Sequence, residues 1–343
     1  MVCGDVRMIN RKSGGGAVEA PARPFEALSP DVVLDAAASV GVEGDGRLLA
    51  LNSYENRVYQ LGTDAGNMVL KFYRAGRWSD AQITEEHEFT AEMAAAELPV
   101  AAPINIDGQT LFRYQDYRFC VFPWMPGRTP ELEAAESLAM LGRAIARIHQ
   151  IGCVRPFEAR PWLTSQRLGW DAQQAVLVSG LIPDELLRRY EEVSGELLEA
   201  VEAVFESAGE VAAIRIHGDC HLGNLLWNER GPVFVDLDDC MMGPRVQDLW
   251  MLLSGPPHEQ QKQWSEILEG YQQFANFDYR EVLLVEALRS LRMLHHAAWV
   301  AQRWQDPAFP RAFPWFGERR NWENYILDLL EQSSNMREQP LLQ

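Results

Sequence analysis

Two short runs carry the chemistry this sequence offers: His217-Gly218-Asp219-Cys220-His221-Leu222-Gly223-Asn224 and Val235-Asp236-Leu237-Asp238-Asp239. Phosphoryl transfer to an alcohol needs a carboxylate to orient the hydroxyl and take its proton. It also needs hard oxygen ligands for a divalent ion that bridges the phosphate oxygens. Asp219 follows the short apolar run Ile214-Arg215-Ile216 and falls in a loop, where a carboxylate can reach a substrate. Asn224 adds a neutral amide oxygen. The chain then turns at Glu229-Arg230-Gly231-Pro232 and returns through Val233-Phe234-Val235, which presents Asp236 at a strand end. By strand alternation Asp238 is expected on the face of Asp236, and Asp239 is expected to point away.

Other chemistries fit less well. A metallohydrolase reading of His217, Asp219 and His221 needs further ligands, and His149, His295 and His296 all fall inside helical patterns. Zinc also favours softer donors than the Asn and Asp that follow. His217 reads as a loop anchor that holds backbone. Cys220 has no thiol-activating neighbour and reads as structural.

Upstream, Lys71 alternates with apolar residues in Met68-Val69-Leu70-Lys71-Phe72-Tyr73. Alone it reads as a solvated strand residue; coupled to the acidic runs, it is the candidate for holding the α- and β-phosphates, as the lysine of a kinase would. Ile83, Glu86, Phe89 and Met93 share one helical face, which puts Glu86 inward as the partner of Lys71, whereas Glu85 and Glu88 fall off that stripe. The position that would cover the phosphates holds Leu51-Asn52-Ser53-Tyr54-Glu55-Asn56-Arg57, not a glycine-rich loop. It reads equally as an ordinary polar turn or as a site where Ser53 meets phosphate. Pro123, Trp124 and Met125 follow the last expected strand as a linker between lobes; a kinase-like fold would imply that their backbone reads adenine. Asp248 opens a short helical run.

The elements that must position these residues change character along the chain. A glycine-rich extension (1–23) precedes a helix that starts at Ser29-Pro30 and runs to about Val40. Strands are expected at 47–51, 56–61, 67–74, 110–114 and 118–122, with one helix at 79–97 between them. This N-lobe (24–122) leads through a hinge (123–127) to a helical C-lobe (128–333) and a flexible end (334–343). In the C-lobe, helices are expected at 185–206, 247–253, 259–275, 279–304 and 322–331. The fold class is therefore α+β and bilobal, with a small antiparallel-sheet lobe and a larger helical one.

Composition narrows the partners. A net charge of -18 would repel a nucleic-acid backbone, and it favours cationic or basic substrates if it does more than maintain solubility. No run approaches the roughly 20 apolar residues of a membrane span. The start lacks the apolar core of a secretory signal. Five cysteines, odd in number and without CxxC spacing, suit a reducing cytoplasm. A monomer is the expected state.

HGDxHxxN at 217–224 and VDLDD at 235–239 resemble the aminoglycoside phosphotransferase–choline kinase branch of the protein-kinase-like fold. That resemblance implies Asp219 as catalytic base, Asn224 as a metal ligand and Asp236 as the principal metal ligand, for magnesium (Mg2+) with ATP. It also implies that Asp248 braces the catalytic loop. LNSYENRVYQ (51–60), VLKFYR (69–74), HGDCHLGNLLW (217–227), VDLDDCMMGPRVQDLWMLLSG (235–255) and RWQDPAFPRAFPWF (303–316) resemble the bacterial stress response kinase A family over about 25–331. The family resemblance implies a serine/threonine protein kinase with an ATP contact at Ser53. The fold-level kinship leaves a small-molecule kinase for a cationic alcohol as the alternative, and a non-catalytic nucleotide-binding scaffold as a third reading. Few residues separate Asp236 from Gln247, too few for a long activation loop. The acceptor groove is therefore expected from 153–212 and from Trp299, Trp304, Phe313, Trp315 and Phe316.

Overall fold

The computed structural model describes residues 23–130 and 135–338. The extension expected over 1–23 lies outside them apart from Arg23, as do the last five residues. Helix α1 (Pro30–Ala38) begins where Ser29 accepts a hydrogen bond from the Val32 amide at 3.3 Å and Pro30 fits the first turn. It stops two residues short of Val40, closing onto Gly41, whose φ is 78°.

Strands β1 (Leu48–Leu51), β2 (Arg57–Thr63), β3 (Gly66–Tyr73), β4 (Phe112–Tyr114) and β5 (Tyr117–Pro123) form an antiparallel sheet in the order β1-β2-β3-β5-β4. β3 is central, so Lys71 sits between Val58 and Cys120 with its backbone fixed on both sides. Helix α2 (Asp80–Ala95) crosses between β3 and β4. Its start is set by a reciprocal cap between Ser79 and Gln82, which satisfies donors at the exposed end. Leu61, Leu70, Phe72, Phe119 and Val121 fill the core between the sheet and α1.

The second lobe contains α3 (Ala135–Gly152), α4 (Asp171–Leu177), α5 (Asp184–Ala208), α6 (Val246–Trp250), α7 (Pro257–Tyr271), α8 (Val285–Gln302), α9 (Ala308–Ala312) and α10 (Arg319–Asn335). Two small ribbons carry the acidic runs: β6 (Ile214–Ile216) pairs with β9 (Met241–Gly243), and β7 (Leu225–Asn228) pairs with β8 (Gly231–Phe234).

Several expectations need correction. The run at 279–304 divides into a 3-10 segment, Tyr279–Leu284, and α8. The run at 247–253 shortens to a little over one turn, α6. The turn at Gln166–Trp170 and α4 had no clear apolar period to announce them. α10 extends to Asn335, past the start of the expected flexible end. β8 ends at Phe234, and Asp236 has φ 56°, so alternation stops before the acidic run and Leu237–Asp239 forms a 3-10 turn. Asp238 and Asp239 therefore do not occupy opposite faces of a strand.

α3 and α7 pack at unusually short range because each contributes a glycine at the crossing. A Cβ on Gly142 would collide with the Ile267 carbonyl, and one on Gly270 with the Ala139 carbonyl. The obstacles are backbone, so they yield poorly. Gly142→Ala is expected to lower unfolding stability by about 1–3 kcal/mol, the usual cost of overpacking a tight core. A denaturant titration reads the midpoint; an unchanged midpoint contradicts this account of the α3–α7 contact.

Candidate active site

The loop after β6 is held from below by one buried carboxylate. Asp248, on α6, accepts the His217 amide at 2.7 Å through Oδ2 and the Gly218 amide at 2.8 Å through Oδ1. His149 on α3 donates from Nε2 to the same Oδ2 at 3.1 Å, since a carboxylate only accepts there. Its Nδ1 then accepts from the Tyr271 hydroxyl at 2.9 Å, which fixes a neutral tautomer. Burial also lowers the His149 pKa, against the opposing pull of Asp248. The His217 ring reaches the Val235 carbonyl at 3.2 Å and ties the two acidic runs together. Gly218 is required twice over: its φ is 84°, and a side chain would strike the Asp239 carbonyl.

That clamp delivers Asp219 into the cleft. Asn224 spends its Nδ2 on the Asp219 carbonyl at 3.0 Å and on Oδ2 at 3.2 Å. His221 accepts the Gly223 amide on Nδ1 at 2.9 Å, so Nε2 carries the proton and faces Asp219 Oδ2 at 3.3 Å. Arg292 of α8 donates to Oδ1. Burial pushes the Asp219 carboxyl up, but the His221 hydrogen bond and the Arg292 charge outweigh it and hold it well below the ordinary range.

Asp236 is half exposed and contacts Lys71 Nζ at 3.0 Å. The ammonium also meets Asp238 at 3.0 Å and Glu86 at 3.5 Å. Asp238 is buried against Lys71 and Arg77, and Asp239 pairs with Arg77 at 2.6 Å. Glu85 faces away and caps the amides of residues 158–160, while Glu88 pairs with Arg155.

A cleft of ≈ 800 Å³ between the lobes is lined by Ser53, Lys71, Glu86, Pro123, Trp124, Met125, Asp219, Asn224 and Asp236. The residues expected to hold nucleotide and metal and to act as base thus border one space. Trp299 and Phe313 line it too, whereas Trp304 and Phe316 pack into the helical core and Trp315 is exposed. From 153–212 only Leu163 and Leu168 contribute, so the far wall is chiefly α8: Leu288, Leu291, Arg292, His295, His296 and Trp299. The polar members recur at helical spacing, a signal that the strong apolar periodicity of the same helix masks.

Glu55 is another residue without a sequence signal. It accepts from Trp299 Nε1 at 2.5 Å and from Arg303 Nη2 at 3.0 Å, and it pairs with Arg74 at 3.1 Å. Arg74 in turn bonds Asp306 at 2.6 Å. The 51–57 segment is therefore more than an ordinary polar turn, because its carboxylate latches the sheet lobe to α8.

Lys71 faces three carboxylates, an excess of negative charge. Burial raises Glu86 to about 7, with Lys71 opposing and Asp238 adding to the rise. Lys71 itself stays charged: burial would lower its pKa, but Asp236 and Asp238 hold it well above the ordinary value. The folded chain therefore binds the Glu86 proton more tightly than the unfolded chain. That contribution is complete below the ordinary value of 4.5 and is lost as pH rises through about 7. Glu86→Gln does not ionise, so its stability relative to wild type is expected to rise between pH 5 and pH 8. Denaturant midpoints at the two pH values check this; a parallel change in both proteins contradicts it.

Comparison with known proteins places this geometry. The phosphotransferase enzyme family matches residues 47–285. Stress response kinase A of Salmonella choleraesuis (strain SC-B67) is 41% identical over 318 residues, spanning 92% of this chain and 96% of that protein. The same figures hold for stress response kinase A of Escherichia coli (strain K12) and for the serine/threonine protein kinase RdoA of Salmonella typhimurium. Among solved structures, an amicoumacin kinase, hAmiN, bound to AMP-PNP and Ca2+, superposes with a TM-score of 0.66 at 17% identity, over 87% of this chain and 90% of that one. A microcompartment-associated aminopropanol kinase gives 0.63 at 19%, over 88% and 98%. The antiparallel sheet, the helical lobe and the cleft between them are thus the protein-kinase-like fold, and the chain belongs to the stress response kinase A family of phosphotransferases.

Proposed function

We propose that this chain is an ATP-dependent serine/threonine protein kinase of a bacterial stress response, with Asp219 as the base. The observation that carries the reading is the meeting of Asp219, Asn224, Asp236 and Lys71 at one cleft. Its 41% identity over most of the chain to proteins named as such kinases supports it.

The donor set suits magnesium. With its Nδ2 committed to Asp219, Asn224 keeps Oδ1 as a hard oxygen donor, and half-exposed Asp236 supplies a carboxylate. Asn224 and Asp236 would hold the ion, which supplies charge neutralisation at phosphate oxygens. Lys71, fixed in the central strand, pairs with phosphate oxygens, with Glu86 behind it. The 51–57 segment covers them with Ser53, and the backbone of Pro123, Trp124 and Met125 reads adenine.

In transfer, a bond forms between the acceptor hydroxyl oxygen and the γ-phosphorus. The bond from that phosphorus to the ADP oxygen breaks, and the hydroxyl proton passes to Asp219. A carboxylate held so far below the ordinary range is a weak proton acceptor, so its larger part is to aim the hydroxyl until late in the reaction. That suits a loose transition state, in which little nucleophilic push is needed.

In this reading 24–122 is the nucleotide lobe, 123–127 the hinge and 128–333 the catalytic lobe. The protein works in the cytoplasm as a monomer. Among the described residues no helix is long and apolar enough to cross a membrane.

With magnesium and γ-labelled ATP, the protein is expected to label serine or threonine in itself or in a generic protein substrate. Asp219→Ala is expected to reduce this by at least about 10³-fold. Phosphoamino-acid analysis makes the test. Label that persists in Asp219→Ala, or that appears only on small alcohols, overturns the reading.

A further inference from the structure

Beyond Asp219 the charged side chain that α8 adds to the cleft lining is a cation, Arg292. The carboxylates bordering it are engaged within the protein: Asp236 by Lys71, Asp238 and Asp239 by Arg77, Glu55 by Arg74 and Arg303, and Glu86 by Lys71. Asp219 itself is shared by Arg292, Asn224 and His221. A cationic acceptor therefore meets no uncommitted acid.

An anion meets the opposite. Arg292 commits Nη1 to Asp219, and among the described residues its Nε and Nη2 have no hydrogen-bond partner, while its side chain borders the cleft and is 42% exposed. His295, one turn along α8, is kept neutral, its pKa driven to about 3 by burial and then by the charges of Arg167, Arg77, Arg303 and Arg292. The Arg167 guanidinium, one of those charges, faces the Trp78 ring at 5.5 Å and forms no ion pair among the described residues. Burial lowers its pKa to about 10, with Arg160 and Arg77 adding to the fall and Asp239 and Asp171 opposing it. The α8 wall thus presents Arg292 as its charged side chain, with donors left over after Asp219, although the whole chain carries a net charge of -18. The distant acidic field is screened over about 8 Å at physiological salt, so the local wall dominates at the reacting atoms.

We propose that the α8 wall is an anion-reading acceptor subsite, in which Arg292 binds an acidic side chain within two residues of the serine or threonine to be phosphorylated. The subsite deepens the protein-kinase reading and rests on it. Arg292 touches both the base and the incoming segment, so it positions the hydroxyl as well as selecting it. A planar guanidinium with two donors uncommitted matches a carboxylate better than an ammonium does.

Three serine peptides that differ only in Asp, Asn or Lys beside the acceptor are compared at saturating magnesium-ATP. Wild type is expected to favour the Asp peptide over the Asn peptide by about 10-fold in kcat/KM, the worth of one charge-assisted contact, and to disfavour the Lys peptide. In Arg292→Gln the Asp-to-Asn ratio is expected to fall towards one, and in Arg292→Lys to recover in part. If Arg292→Gln lacks measurable transfer, alanine-for-serine versions of the three peptides are compared as ligands by anisotropy. The Asp version is then expected to bind wild type about 10-fold tighter than the Asn version, a preference absent from the variant. Serine labelling with no Asp preference, or with a Lys preference, overturns the subsite and leaves the kinase reading standing. Transfer to small alcohols alone overturns both.

Discussion

One buried carboxylate governs the site. Asp248 accepts two consecutive backbone amides from the loop that carries Asp219 and a third hydrogen bond from His149, so none of these groups is stranded away from water. The constraint propagates outward. His149 is set by Tyr271, which belongs to α7, and α7 reaches α3 closely enough only because Gly142 and Gly270 lack side chains. Inward, the same clamp requires a left-handed residue at 218, and the Asp239 carbonyl excludes any side chain there. The helical lobe therefore acts as a mount for a single turn of loop. Leaving such a buried hydrogen-bonding group unpaired costs about 1–3 kcal/mol, more when it is charged, which is why the parts stay in register.

Charge is distributed around that mount with little slack. Lys71 lies among Asp236, Asp238 and Glu86, and Arg77 relieves the surplus at Asp238 and Asp239. Burial raises Glu86 to about 7, whereas Arg292 and His221 outweigh burial at Asp219 and keep it charged. Glu55 extends the network across the cleft, so the 51–57 segment and the end of α8 share partners. Together with the Arg74–Asp306 pair, it ties the sheet lobe to the helical lobe.

Much of this was readable from residue types. Ser29-Pro30 marked the start of α1, the alternation around Lys71 marked β3, and the stripe containing Glu86 separated it from Glu85 and Glu88. Those signals are local, and local rules suffice for them. The misreading of Asp238 and Asp239 came from carrying strand alternation past Phe234, where the left-handed Asp236 breaks it. Arg292, Glu55 and Arg77 were illegible for another reason. Their partners lie far away in the chain, and no spacing rule links position 55 to positions 299 and 303. The aromatic C-terminal residues divided by burial, with Trp299 and Phe313 facing the cleft and Trp304 and Phe316 the core.

Asp219 is presented to the cleft because Asp248 holds the two backbone amides that precede it, and its proposed role as base depends on that hold. Asp248→Asn keeps the shape but puts an amide N–H where a carboxylate oxygen accepts. The decisive measurement is steady-state transfer by this variant at a temperature where circular dichroism shows it folded, alongside its ATP dissociation constant. Transfer is predicted to fall by about 10²-fold, the scale of a misplaced catalytic group, with ATP affinity within about 3-fold of wild type. Folded Asp248→Asn with unchanged kcat would contradict the account.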